Sequence, residues 1–100
     1  SYTGLFKHLF DLIEPAALAG KPVLLTATGG GEKHALVIEH QLRPLFGFFE
    51  AATLPTGIYA SGADFANGIP ASAPLIARID RAVAQFSPWL ANTAAANAAA

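Results

Sequence analysis

Three short segments of this chain carry groups suited to holding a ligand. Ser1-Tyr2-Thr3-Gly4 offers hydroxyls and an aromatic ring, and Ser61-Gly62-Ala63-Asp64 offers a hydroxyl and a carboxylate. Between them, Thr28-Gly29-Gly30-Gly31-Glu32 presents backbone N–H donors with no side chains in the way. A flat ligand lying against Ser1 to Gly4 on one side and Thr28 to Gly30 on the other is the chemistry this set suggests. The competing reading is that Gly29 to Gly31 merely turn a strand into a helix. None of the three segments holds a nucleophile with a base and an acid beside it, so no catalytic residue is assigned. Zero cysteines exclude a thiol nucleophile, a disulfide framework and a cysteine-ligated metal in these 100 residues.

Other signatures are missing. Gly-Gly-Gly-Glu-Lys lacks the spacing of a phosphate loop, and no GxGxxG is present. His8, His34 and His40 do not recur at i, i+4 on one helix and have no paired acid, so no metal is expected and each histidine reads as solvated or capping. A net charge of -1 with scattered Lys and Arg gives no basic stripe for nucleic acid. The longest apolar runs are far short of the roughly 20 residues that span a bilayer. No membrane segment or charged leader is expected, and the composition points to the cytoplasm.

The elements that would position the three segments follow from hydrophobic spacing. Thr3 or Gly4 caps a first helix over Gly4 to Ile13, with Phe6, Phe10 and Ile13 on one face and Leu9 beside them, ending near Glu14 before Pro15. Pro22 to Thr28 is a nearly continuous apolar run, the habit of a strand buried on both faces in a parallel sheet. Lys33 to Ala51 reads as one long amphipathic helix through Ala35, Ile38, Leu42, Leu45 or Phe46, and Phe49. Pro44 cannot bond the His40 carbonyl, so a kink or π-bulge is expected around His40. Thr53 to Ala60 is a second strand, placed at the sheet edge by Pro55 and Gly57. A polar loop over Ser61 to Ala71 leads to a last helix, capped by Ser72 or Ala73, that aligns Leu75, Ile79, Val83, Phe86 and Leu90. Residues 91–100 read as an alanine-rich tail, frayed or disordered.

Helix, strand, helix, strand, helix is an α/β order with parallel crossovers, and two strands make no stable sheet. Residues 1–90 therefore read as the C-terminal part of a single larger domain. The surplus of aromatics at Phe46, Phe48 and Phe49 suggests a subunit interface on the long helix, with packing under the sheet as the alternative.

Ser1, Gly4, Lys7 and Asp11 form a Ser-x-x-Gly-x-x-Lys-x-x-x-Asp pattern that resembles the stretch after the third strand in NAD(P)H-dependent FMN reductases of flavodoxin-like fold. Ala27-Thr28-Gly29-Gly30, His34-Ala35-Leu36 and Leu42-Arg43-Pro44-Leu45 resemble the branch that supplies reduced flavin to alkanesulfonate and methanesulfonate monooxygenases. The resemblance covers residues 1 to about 90. It implies a five-stranded parallel sheet of order 2-1-3-4-5 with helices on both faces, of which this chain supplies the third helix, fourth strand, fourth helix, fifth strand and fifth helix. It further implies that Ser1, Tyr2, Thr3 and Gly4 lie along the isoalloxazine ring of FMN, with Thr28, Gly29 and Gly30 on its other side near the NAD(P)H nicotinamide. Some members of the family carry a π-bulge where His40 stands. The implied reaction is hydride transfer from NAD(P)H to FMN in a homodimer or homotetramer that serves a flavin-dependent monooxygenase. The family's phosphate-binding loop is absent from this chain, so the segment alone is expected to be inactive. A quinone or azo-dye reductase of the same fold, or a non-catalytic piece acting in folding or oligomerisation, are the alternatives.

Overall fold

Thr3 decides where the first helix begins. In the computed structural model, which describes residues 1–90, Thr3 is extended and its Oγ1 accepts the Phe6 N–H at 3.1 Å. Helix α1 spans Gly4–Asp11 and closes at Leu12, two residues short of the expected Ile13, because the chain must be extended at Glu14 ahead of Pro15. Lys7 and Asp11 pair one turn apart on its surface.

Two extended stretches run parallel, and each is broken. The first gives β1 (Pro22–Val23) and β2 (Thr26–Gly29), and the second gives β3 (Ala52–Thr53) and β4 (Ile58–Ser61). β1 pairs with β3 and β2 with β4. Val23 stands opposite Thr53 and Thr26 opposite Ile58, so three steps on one stretch match five on the other. The two extra residues form a bulge around Pro55. Proline and glycine therefore do not sit inside an edge strand, as their sequence position suggests; they interrupt it. Nor is Pro22 to Thr28 buried throughout: Leu25 is, but Thr26 and Thr28 are exposed, and the second edge of β2 is unpaired among the described residues.

The expected long helix starts late. A single 3-10 turn covers Glu32–His34, and Gly31 ahead of it supplies no capping side chain. Helical backbone resumes at Val37, passes through a π-helical turn at Ile38–Leu42 and continues as α2 over Arg43–Phe48. His40 lies in the middle of that π turn, where the Arg43 N–H reaches back five residues to the Ile38 carbonyl. The irregularity expected from Pro44 is present. Glu50, at φ 55°, stops the helix and its carbonyl accepts the Gly20 N–H at 2.9 Å.

Residues 61–71 hold more structure than a polar loop. A 3-10 turn at Gly62–Asp64 precedes an antiparallel hairpin of β5 (Phe65–Ala66) and β6 (Ile69–Pro70). Its turn is Asn67-Gly68, both at positive φ (52° and 77°), the backbone that a two-residue hairpin requires. Ser72, not Ala73, caps α3 (Ala73–Ala84) by accepting the Leu75 N–H. The helix stops before the expected Leu90, and a separate helical turn covers 87–90. Leu75 and Ala82 are buried, whereas Val83 and Leu90 face outward.

Helices cover both faces of the paired strands. On one side Leu25, Ile38, Leu42 and Phe46 form a core that Phe6, Phe10, Ala27 and Tyr59 pack against. On the other, Ile58, Ala60, Leu75 and Ala82 form a second core with Leu24 and Ile79. This is the α/β, flavodoxin-like layering, with consecutive leucines 24 and 25 serving opposite faces as strand alternation requires. No helix of the described residues is long and apolar enough to cross a membrane. The alanine-rich segment 91–100 lies outside the described residues.

Candidate functional site

The strand register assembles the site. Pairing of β2 with β4 sets Ala27 beside Tyr59, Thr28 beside Ala60 and Gly29 beside Ser61, so the carboxyl ends of both strands finish at one rim. The turn before α1 reaches the same rim, because the Thr3 cap fixes the chain direction and Phe6 and Phe10 anchor the helix on the core.

Between these segments lies a cleft of about 500 Å³. Ser1, Tyr2 and Thr3 line one wall, and Thr26, Ala27, Thr28 and Gly29 line the other. Five of the seven residues singled out from the sequence, namely Ser1, Tyr2, Thr3, Thr28 and Gly29, thus meet around one cavity. Gly4 does not line it, since it is already the first residue of α1, and Gly30 sits exposed beyond its lip. A Cβ placed on Gly30 or Gly31 would meet nothing within 4 Å, so the space over both peptides is open to a ligand.

Seven further residues that sequence reasoning did not single out also line the cleft, His34 and Tyr59 among them. His34 reaches the cleft from the 3-10 turn, and Tyr59 forms its floor. Tyr59 was legible in principle: Ile58 and Ala60 face the α3 core, so strand alternation turns Tyr59 to the cleft side. Its hydroxyl donates to the Gly31 carbonyl, and that hydroxyl with the ring edge behind it lies so close to Gly29 that a Cβ there would run into it. Tyr2 continues into the core through a row of rings, with Tyr2–Phe6 centroids 5.6 Å apart and Phe6–Phe10 centroids 4.8 Å apart.

A second cleft of about 570 Å³ opens on the other side of Tyr59 and takes in the third predicted segment through Ser61, Ala63 and Asp64. Glu32, Glu39 and Arg78 also line it. Arg78 Nε donates to the Gly57 carbonyl at 2.7 Å, and Glu39 is held by a two-pronged pair with Arg43 that keeps its carboxyl below the usual range. Asp64 is likewise lowered, by the Ser72 hydroxyl and then the Ser61 backbone N–H. Arg78, Glu39 and Asp64 are thus each engaged with the protein's own groups. The first cleft contains neither lysine nor arginine.

The profile of the family described as NADPH-dependent FMN reductase matches residues 1–66. The chain is 61% identical to an NADH-dependent FMN reductase SfnF of Pseudomonas fluorescens over 88% of this chain and 47% of that protein. It is 62% identical to an FMN reductase (NADPH) of Pseudomonas aeruginosa over the same shares. An oxidoreductase from Corynebacterium diphtheriae, known from an X-ray structure, superposes with a TM-score of 0.78 at 40% identity, over 87% of this chain and 47% of that one. The chain spans about half the length of the relatives it matches.

Proposed function

The chain belongs to the NADPH-dependent FMN reductase family, and from that premise we propose that the complete protein is an NAD(P)H:FMN oxidoreductase supplying reduced flavin to a two-component sulfonate monooxygenase. The observation that carries this reading is the meeting of Ser1 to Thr3 with Thr28 and Gly29 across one cleft. The aromatic face of Tyr2 and the backbone of Gly29, with the open peptides of Gly30 and Gly31 at the lip, suit a flat ring, and the hydroxyls of Ser1, Thr3, Thr26 and Thr28 suit its polar edge. For the phosphate of FMN the cleft has neither lysine nor arginine. The residues present therefore fit the ring of the cofactor and not its phosphate.

When bound, the flavin would supply the hydride-accepting chemistry. This chain's own residues position and shelter. Tyr2 and the glycine backbone would hold the ring of the flavin, and such positioning is most of what a hydride transfer demands. Glycine N–H groups at the rim can stabilise negative charge that develops on the ring. No side chain here needs to move a proton, which accounts for the absence of an acid–base pair. The reading also includes a homodimer or homotetramer and a cytoplasmic location. Phe48, 71% exposed, and the outward row of Leu5 and Leu9 on α1 with Leu12 at its end are surfaces that a second subunit or the rest of the complete protein would cover.

Titrating FMN fluorescence against the complete protein and against these 100 residues tests the proposal. The complete protein should bind FMN at micromolar concentration or tighter and oxidise NAD(P)H in its presence. The 100 residues alone should bind far more weakly, since the phosphate lacks a partner. Absence of binding by the complete protein would overturn the function. Micromolar binding by the shorter chain would overturn the placement of the phosphate outside it.

A further inference from the structure

We propose that Tyr59 is a positioning residue: its hydroxyl and ring together fix the Gly29–Gly31 backbone at the cleft, so flavin affinity depends on a hydroxyl that is itself committed to the protein. The proposal rests on the flavin reading above. Three consecutive glycines have no Cβ to restrict them, and their backbone visits many more conformations than any other tripeptide. A loop of that kind holds a ring only if something else selects one conformation. Tyr59 supplies both halves of the selection. The hydroxyl donates to the Gly31 carbonyl, and because the peptide is planar and trans, anchoring that carbonyl sets the direction of the Glu32 N–H as well. The same hydroxyl stands against Gly29 where a Cβ would be, with the ring edge behind it and Cζ 3.1 Å from that point. Gly29 is thus glycine because of Tyr59, at a position where φ is not in the left-handed region. Tyr59 is itself well held, since β4 pairs it with Ala27 and its ring packs against the Leu25, Ile38, Leu42 and Phe46 core.

The test compares the complete protein with Tyr59→Phe, which keeps the ring and removes the hydroxyl, reading FMN affinity, the absorption band of bound FMN and hydrogen exchange of residues 30–32. Tyr59→Phe should weaken FMN about fivefold, the usual scale of one neutral hydrogen bond. It should also shift the band toward that of free flavin and speed exchange in the loop, with the circular dichroism spectrum unchanged. Gly29→Ala should abolish binding beside Tyr59 but add less than twofold loss on top of Tyr59→Ala, a non-additivity that reports direct coupling. FMN affinity within twofold of wild type in Tyr59→Phe overturns the proposal, whether or not loop exchange changes. Additive losses for Gly29→Ala and Tyr59→Ala overturn it too. Failure of the wild-type protein to bind FMN sinks the functional reading first and the proposal with it.

Discussion

Asp64 sits where β4, the hairpin and α3 meet. Its Oδ2 accepts the Ser61 N–H at 2.9 Å, its Oδ1 accepts the Ser72 hydroxyl at 2.6 Å, and its carbonyl accepts the N–H groups of Ala71 and Ser72. The same Ser72 oxygen caps α3, so one carboxylate orients the cap of the next element. The Ser72 hydroxyl first and the Ser61 N–H second hold the Asp64 carboxyl below its ordinary value of 3.8. The folded state then binds fewer protons than the unfolded one. Its stabilisation is fully present above that ordinary value and is lost as pH falls through the lower folded value. Asp64→Asn should lower stability at neutral pH and flatten the acid limb of a melting-temperature profile taken downward from about pH 4. An acid limb as steep as that of the wild type would show that other carboxylates carry it. At this scale the sequence was only partly readable: Ser1, Tyr2, Thr3, Thr28 and Gly29 stand out by type, whereas Tyr59 and Asp64 act through register and loop closure, which residue type does not encode.

The bulge between β3 and β4 shows how elements compensate one another. Its backbone groups leave the strand ladder, and three long side chains from the helices take them up. Arg43 donates to the Leu54 carbonyl at 2.9 Å and the Pro55 carbonyl at 3.3 Å, Gln85 accepts the Thr56 N–H at 3.1 Å, and Arg78 bonds the Gly57 carbonyl. Arg43 also grips Glu39 inside the π turn, tying that turn to the bulge. Leu54, only 1% exposed, depends on this arrangement to stay in the core. Arg43→Ala should therefore destabilise the protein by about 2 kcal/mol, the range of hydrogen bonds from a charged donor, and Arg43→Lys should recover only part because it lacks the planar fork. Urea denaturation of both variants checks this, and a loss under about 0.5 kcal/mol in Arg43→Ala would reduce Arg43 to an ordinary surface pair. The π turn was foreseeable because Pro44 forbids one specific bond, and element order was foreseeable from periodicity. The break in the first strand was not, since Leu24 and Leu25 continue its apolar run, and in the second Pro55 and Gly57 mark an irregularity whose two extra residues only the partner's register reveals. The Asn67-Gly68 turn was in plain view, but its arms, Phe65-Ala66 and Ile69-Pro70, are too short to show strand alternation.

At the scale of the chain, the decisive feature is apolar surface that its described layers leave uncovered. Phe46 and Phe49 are buried under the sheet, and Phe10 packs edge-on against both, at 5.0 and 5.9 Å between centroids. Phe48 points the other way, touching Phe49 edge-on at 5.2 Å while exposing most of its ring. It lines a cleft of mixed character together with Tyr2, Phe10 and Pro44 and with the polar Lys7, Asp11, His40 and Gln41. The ring row Tyr2, Phe6, Phe10, Phe49, Phe48 therefore runs from the candidate flavin cleft to this outer surface. If a second subunit covers Phe48, Phe48→Asp buries an unpaired carboxylate at the contact, a cost of several kcal/mol that the monomer does not bear. The complete protein carrying Phe48→Asp should fall to a smaller mass by light scattering while its circular dichroism spectrum and melting behaviour remain those of a folded subunit. Tyr2 gives the same variant a second readout: if assembly braces the cleft through the ring row, FMN affinity should fall along with the mass. An unchanged mass would return Phe48 to a tolerated surface aromatic, and a smaller mass with undiminished FMN affinity would show that each subunit holds its flavin cleft unaided.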